Sequence, residues 1–285
     1  MEMERKLRIA IQGVAGCFHD AAAREFFAGQ EVDTVECDTF HDMFDTLRCD
    51  ASMLGIVAIE NTIAGSLLHN YELLRESGAT IVGEHKLRIS HSIMCLPEDD
   101  WADITEVNSH PVALMQCREF LARHCEMKVV EVADTAGAAA HISMFHMRGH
   151  AAICHKDAAA IYGMKVLETG IETNKHNFTR FMVLARPEKA GQMRNTKDAN
   201  KASLAFTLPH EEGSLSAILS VLSFYKLNLT KIQSLPIIGK EWQYMFYVDL
   251  SFDQDRRFHQ AVNAISPLVS ELKILGEYQD GKQSI

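Results

Sequence analysis

Nowhere in the 285-residue sequence do eighteen apolar residues run together, and the start, Met1-Glu2-Met3-Glu4-Arg5-Lys6-Leu7, mixes acids and bases where a signal peptide would carry an apolar core. A membrane-spanning or exported chain is therefore not expected, and a cytoplasmic location is. No C-x-x-C pair occurs. The seven cysteines (Cys17, Cys37, Cys49, Cys95, Cys117, Cys125, Cys154) are odd in number and scattered, which argues for reduced thiols over a disulfide framework or zinc knuckle. Positive charge is also scarce: 28 Lys plus Arg stand against 38 Asp plus Glu, for a net charge of −10. Such a field repels phosphate, so neither nucleic acid nor an anionic membrane is an expected partner, and an anionic metabolite would need a locally positive pocket. His141, His146 and His150 are close in sequence, but their spacing spreads them over about 180° of a helix, which fits a solvated face better than a metal site. No metal is expected.

What is present is a globular balance of 47% hydrophobic and 23% charged residues, in a chain long enough for two or three compact units. The main break falls at 186–201, where a Pro, a Gly and many charges replace apolar periodicity and mark an exposed linker at 188–200. Before it, short apolar strands alternate with helices, including one predicted over 112–124 and one over 136–147, which argues for α/β with mainly parallel sheets. After it come a strand at 202–208 and an amphipathic helix at 213–225. Two strands follow at 228–236 and 242–250, the second with Trp242, Tyr244, Phe246, Val248 and Leu250 on one face and Gln243 and Asp249 on the other. A helix carrying Phe258, Val262 and Ile265 and a last strand at 271–278 complete the order βαββαβ, a ferredoxin-like unit.

Five segments before the linker can carry chemistry. Gly13-Val14-Ala15-Gly16-Cys17-Phe18-His19 is a strand-to-helix turn whose backbone N–H groups could hold an anion; it lacks the third glycine of a dinucleotide fingerprint and the lysine of a P-loop. Glu60-Asn61-Thr62-Ile63-Ala64-Gly65 ends an apolar strand, where ligands gather in open α/β sheets, although Asn61 or Thr62 could equally cap a helix. Ser109-His110-Pro111 leads into a helix bearing Gln116, whose amide offers both a donor and an acceptor. Asp134-Thr135-Ala136-Gly137 opens a small-residue helix, for which simple capping is an adequate account. Asn177-Phe178-Thr179-Arg180-Phe181 puts a hydroxyl and a guanidinium at a strand start, where Arg180 suits a carboxylate or a structural ion pair.

In order and spacing these segments resemble the prephenate dehydratase family: a G-x-x-G turn, E-N-[ST]-x-x-G, S-H-P-x-A-L-x-Q-C, [DNS]-T-A-x-A-A and N-x-T-R-F. The part after the linker resembles its regulatory ACT domain through Gly213-Ser214-Leu215 and Asn228-Leu229-Thr230-Lys231-Ile232. The resemblance implies a catalytic region over 1–187 with two α/β lobes around a cleft, similar to type II periplasmic ligand-binding proteins. Lobe one would span about 1–82 plus 165–187 and lobe two 83–164, followed by a ferredoxin-like ACT domain over 201–285.

The reaction so implied converts prephenate to phenylpyruvate with loss of CO2 and water, without a cofactor. The family pattern makes Thr179, Glu60, Asn61 and Thr62 the catalytic candidates, with Thr179 at the leaving hydroxyl and Glu60 as a proton source. Gly16, Cys17, Phe18, Ser109, Gln116, Thr135, Arg180 and Phe181 would bind substrate, Arg180 and the 13–18 turn taking its carboxylates. Phenylalanine is the implied effector, at Gly213, Ser214, Leu215, Asn228, Leu229, Gln233 and Ser234, in a homodimer or homotetramer joined through ACT domains. Gln233-Ser234-Leu235-Pro236 departs from the E-S-R-P of relatives that bind phenylalanine. Arogenate dehydratase and a non-catalytic amino-acid sensor are the alternative readings. No chorismate mutase unit is expected ahead of residue 7.

Overall fold

The computed structural model describes residues 6–193 and 198–284. Lobe one is built from β1 (Leu7–Gln12), α1 (Phe18–Phe26), β2 (Val32–Cys37), α2 (Phe40–Cys49), β3 (Leu54–Asn61), the short β4 (Gly65–Ser66), α3 (Leu68–Ser77) and β5 (Thr80–Arg88). Lobe two contains β6 (Ser92–Cys95), β7 (Glu106–Ser109), α4 (Pro111–Gln116), α5 (Arg118–Arg123), β8 (Lys128–Glu131), α6 (Thr135–Met144), β9 (His150–Cys154), α7 (Asp157–Tyr162) and β10 (Lys165–Thr169). The chain then returns to lobe one as β11 (Phe178–Ala185) and α8 (Pro187–Met193). It ends in the βαββαβ unit β12 (Lys201–Thr207), α9 (Ser214–Phe224), β13 (Asn228–Pro236), β14 (Tyr244–Ser251), α10 (Asp255–Ile265) and β15 (Glu271–Tyr278). Among the described residues no helix is long and apolar enough to cross a membrane, and all seven cysteines are free.

The two lobe sheets have matching orders, β2-β1-β3-β11-β5 and β8-β7-β9-β6-β10. Three neighbouring strands in each are parallel, whereas the strands that carry the chain between lobes run antiparallel, so the sheets are mixed. The crossings lie at 89–91 and 170–177, not near 82 and 164. Residues 83–88 belong to a lobe-one strand and 165–169 to a lobe-two strand. The first crossing, Ile89-Ser90-His91, contains neither Gly nor Pro, so the sequence pattern carried no punctuation there.

Three other expectations change. The predicted helix over 112–124 is two helices, because Thr173 splices into it: its N–H donates to the Gln116 carbonyl (2.8 Å) and its Oγ1 accepts from the Glu119 N–H (3.2 Å). The linker opens with α8, since Pro187 sits at a helix start, where its missing N–H costs nothing, and Ala190 is buried; residues 194–197 lie outside the described residues. Trp242 is an exposed turn residue with φ 57° and not part of a strand face.

Strand β11 organises the interior. Phe181 and Val183 join an apolar cluster shared by both lobes, with Ile9, Ala22, Met94 and Ala139. Met182 and Leu184 join a second cluster, with Tyr71, Ala205, Leu235 and Tyr247, that seals lobe one against the C-terminal sheet. Alternation along the strand thus gives one face to the cleft and the other to the C-terminal unit. Both faces of β14 are consequently covered: Val248 and Leu250 by α9 and α10, Met245 and Tyr247 by lobe one.

The C-terminal sheet meets lobe one edge to edge at Gly276 beside Ile81, joining β15 to β5. A Cβ on Gly276 would overlap the Ile81 carbonyl, which is backbone and cannot yield. A Gly276→Val chain should therefore lose about 1–3 kcal/mol and be cut faster by protease in the 186–200 segment; parental melting and protease resistance would show that the contact is slack.

Candidate functional site

A cavity of about 360 Å³ opens between the lobes. Its walls include Gln12, Cys17, Phe18 and His19 from the end of β1 and the start of α1, and Ala58 and Asn61 from β3. His91 comes from the first crossing, His110, Ala113 and Gln116 from around α4, Asp134 and Thr135 from the start of α6, and Thr179 and Phe181 from β11. Of the expected site residues, the cavity gathers Thr179, Asn61, Cys17, Phe18, Gln116, Thr135 and Phe181.

Asn61 reaches it through a β-bulge. Thr179 pairs with Asn61 and Arg180 with Glu60, but Phe181 pairs with Ala58, leaving Ile59 as the extra residue on β3. Regular alternation from Ala58 would have aimed Glu60 into the cavity; the bulge reverses the parity and delivers Asn61 instead. The Asn61 amide is fully engaged. Its Oδ1 accepts from the N–H groups of Ile63 (2.9 Å) and Ala64 (2.8 Å), and its Nδ2 donates to Asn177 Oδ1 (2.8 Å) and Thr179 Oγ1 (2.9 Å). Because Thr179 accepts from Asn61, its own hydroxyl hydrogen is free to point into the cavity. On the opposite wall, Gln116 Oε1 lies 2.9 Å from His91 Nε2, so the imidazole donates to it and the amide NH2 is left for a ligand.

Five expected residues stand elsewhere. Glu60 faces the C-terminal unit, with its carboxylate 3.0 Å from Lys231 Nζ and 3.5 Å from the Arg180 guanidinium. Thr62 locks a loop, donating to the His176 carbonyl (3.3 Å) and accepting from the Phe178 N–H (3.0 Å). Ser109 is fully buried and donates to the Ile153 carbonyl (2.5 Å), tying β7 to β9. The Gly16 N–H is consumed by Asp20 (2.9 Å); the residue is glycine, at φ 79°, because a Cβ would come within 2.8 Å of Ala158 Cα in lobe two. The turn also meets lobe two through Tyr162, whose hydroxyl donates to the Ala15 carbonyl (2.8 Å).

Arg180 is the largest correction. Being even-numbered on β11, it points away from the cavity into the C-terminal unit, donating to Glu84 (2.7 Å), Asp249 (2.6 Å) and Tyr278 Oη (3.3 Å). Lys201 completes the cluster at 2.8 and 2.9 Å from the two Glu84 oxygens. Burial works against the guanidinium charge, yet Asp249, Tyr278 and Glu84 outweigh it and raise the Arg180 pKa. Spacing alone shows that Thr179 and Arg180, as strand neighbours, cannot share a face; which of them meets the cavity is set by the packing on either side of β11.

The proposed effector residues do not form one site within a single chain. Gly213 caps the start of α9, beyond the Thr207 end of β12. Asn228 pairs with Ser251, which also pairs with Lys201, placing Asn228 and Leu229 at the far end of the sheet. Gln233 and Ser234 lie toward the Gly213 end, on β13, a strand whose outer edge is unpaired among the described residues.

Sequence reasoning missed His91, His110, Phe40 and Asp134 as cavity residues. His91 sits in an unpunctuated hinge, and Asp134 was accounted for by capping alone. The Cys17 thiol and the His19 and His91 imidazoles are held toward their neutral forms. Burial pushes Cys17 up to about 12, despite the Asp20 and His19 N–H groups at its sulfur, and lowers His19 to about 4, where its Nε2 accepts the Ala58 N–H (3.3 Å).

Two measurements follow from this geometry. Arg180→Ala leaves Glu84 and Asp249 buried without their guanidinium and should cost about 3–5 kcal/mol in urea unfolding; a loss below about 1 kcal/mol would mean that Lys201 suffices. The folded His19 pKa lies below its ordinary 6.5, so the unfolded chain takes the proton first as pH falls. The His19 contribution is complete above pH 6.5 and lost between 6.5 and 4, by up to about 3 kcal/mol. His19→Gln, which keeps an acceptor for Ala58, should flatten stability across that window, and an unchanged slope would contradict the burial argument.

The sequence model described as prephenate dehydratase matches residues 9–189. Arogenate dehydratase 3, chloroplastic, of Arabidopsis thaliana is 33% identical over 95% of this chain and 67% of its own length. The bifunctional chorismate mutase/prephenate dehydratase of Escherichia coli K12 is 31% identical over 95% of this chain and 70% of its own. Among solved structures, one described as GqqA, a novel type of quorum quenching acylase, superposes with TM-score 0.85 at 27% identity, covering 96% of this chain and 98% of that one. Prephenate dehydratase from Arthrobacter aurescens in complex with L-Phe gives TM-score 0.83 at 24% identity, over 98% and 92%. Family motifs that converge on one interlobe cavity, and a family match over most of the two-lobed region, place this chain in the prephenate dehydratase family.

Proposed function

We propose that the protein catalyses the decarboxylating dehydration of prephenate to phenylpyruvate, using the interlobe cavity. The observation that carries this is the Asn61–Thr179 hydrogen bond, in which the Thr179 oxygen accepts, so that its hydroxyl hydrogen stays available to donate to a leaving hydroxide. Aromatisation drives the reaction, so the protein has only to assist that departure and hold the ring with the C–CO2 bond aligned to its π system. The phenyl groups of Phe18, Phe40 and Phe181 supply flat apolar walls for a ring, and the free Gln116 amide supplies a donor. Glu60 is not the proton source, since its carboxylate lies across the sheet with Lys231 and Arg180.

L-arogenate is the second candidate substrate, favoured by the names of several relatives at 33–34% identity. Acyl hydrolysis, suggested by the named acylase, finds less support. Among the described residues, neither the Thr179 hydroxyl nor the Cys17 thiol hydrogen-bonds an imidazole that could activate it.

Regulation by phenylalanine belongs to the same reading. The C-terminal unit reaches the catalytic region through Lys231, which donates to Ser66 (2.8 Å) and pairs with Glu60, the neighbour of Asn61. The edge of β13, unpaired among the described residues and with Ile232 and Ile238 exposed nearby, supports assembly of two copies through this unit, so that effector residues distant within one chain could meet across the interface. Thr179→Val should lower kcat/KM for prephenate roughly 10²–10³-fold, followed through the phenylpyruvate enolate absorbance in alkali. Near-normal turnover by the folded variant would remove Thr179 from the mechanism.

A further inference from the structure

Asn177 is fully buried in the second crossing and does not line the cavity. Its Oδ1 accepts from Asn61 Nδ2 at 2.8 Å, the shortest of three contacts open to that nitrogen; Thr179 Oγ1 follows at 2.9 Å and the Phe178 carbonyl at 3.2 Å. The orientation of both amides is forced. Asn61 Oδ1 already accepts the N–H groups of Ile63 and Ala64, so its nitrogen must donate and Asn177 must meet it with oxygen. The other end of Asn177 is then left over: its Nδ2 is buried and has no hydrogen-bond partner among the described residues. A buried donor without a partner is destabilising. Stability alone therefore does not account for an asparagine at this position.

The backbone of Asn177 also joins the two crossings, because its carbonyl accepts the Ile89 N–H (2.8 Å). A matching arrangement holds the opposite wall: His91 of the first crossing donates to Gln116 Oε1 (2.9 Å), and Thr173 of the second donates its N–H to the Gln116 carbonyl (2.8 Å). From this geometry we infer that Asn177 is a positioning residue for the dehydration, its side-chain oxygen fixing the Asn61 amide so that the Thr179 oxygen accepts and its hydroxyl hydrogen stays toward the cavity. The inference rests on the dehydratase reading above. Without the Asn177 oxygen, one Asn61 hydrogen turns to the remaining acceptor, the Phe178 carbonyl, and the Asn61–Thr179 bond lengthens. The Thr179 hydroxyl is then free to rotate, and its hydrogen leaves the line to the departing oxygen. A displacement of about 1 Å at a reacting group can cost about 10²-fold in rate. Substrate binding depends on the cavity wall, to which Asn177 does not belong, so the loss falls on kcat.

Asn177→Leu keeps the branched shape and removes both amide ends, the acceptor that Asn61 uses and the donor that has no partner. Asn177→Ala, which cannot overpack the site, serves as a second variant, and thermal melting checks both folds. On prephenate, kcat should fall about tenfold to a hundredfold in both, while KM stays within about twofold. In a Thr179→Val background no hydroxyl remains to be held, so there Asn177→Leu should change kcat by less than about twofold, a result that a merely structural asparagine would not give. Unchanged kcat in either folded variant would overturn the inference. So would a full multiplicative loss on top of Thr179→Val, a loss confined to KM, or failure of both variants to fold, each of which makes Asn177 a packing residue. A wild-type protein inactive on prephenate would instead bring down the dehydratase reading on which the inference stands.

Discussion

Arg180 is buried with two carboxylates and a phenol within hydrogen-bond distance, and the structure on either side of β11 is arranged around that charge. A guanidinium taken out of water costs several kcal/mol unless its donors are met. Here they are met by groups from both parts of the chain: Glu84 from lobe one, Asp249 and Tyr278 from the C-terminal sheet. Lys201 then shares Glu84, and Ser203 donates to Asp249 (2.5 Å), so the cluster is complete only when the C-terminal unit is docked. One face of a single strand thus holds the two parts together while the other presents Thr179 and Phe181 to the cavity.

The division of labour on β11 leaves the cavity wall of a chain of net charge −10, among the described residues, without a lysine or arginine. Its best-positioned arginine is spent on assembly. What remains around the cavity are dipoles: the first turn of α1, where Cys17 makes no side-chain cap, the Gln116 amide and the Thr179 hydroxyl. Most N–H groups of the 13–17 turn are engaged inside the protein, with Cys37, Glu36, Asp20 and Val14. The turn therefore serves chiefly to bring the lobes together, at Gly16 against Ala158 and Ala15 beneath Tyr162. Fixed dipoles need no reorganisation as charge shifts during a reaction, which suits an elimination driven by aromatisation.

Much of this was legible in residue order. Strand and helix periodicity located the elements of the C-terminal unit to within a few residues, and the order and spacing of five short segments pointed to one cleft. The misplacements share a cause: each depended on a backbone detail fixed by a partner far along the chain. Thr173 broke the helix over 112–124, and a crossing between lobes without Gly or Pro concealed the hinge and with it His91. A one-residue bulge at Ile59 exchanged Glu60 for Asn61 in the cavity.

The sequence by itself determined the family and the two α/β lobes with a ferredoxin-like unit, because periodicity and motif spacing are local properties of the chain. Only the tertiary structure decided that Arg180 and Glu60 serve the junction with the C-terminal unit and that Asp134 is the cavity's carboxylate. Which face a strand residue occupies depends on register, bulges and the partner packed against it, and none of these is written in the strand's own residues.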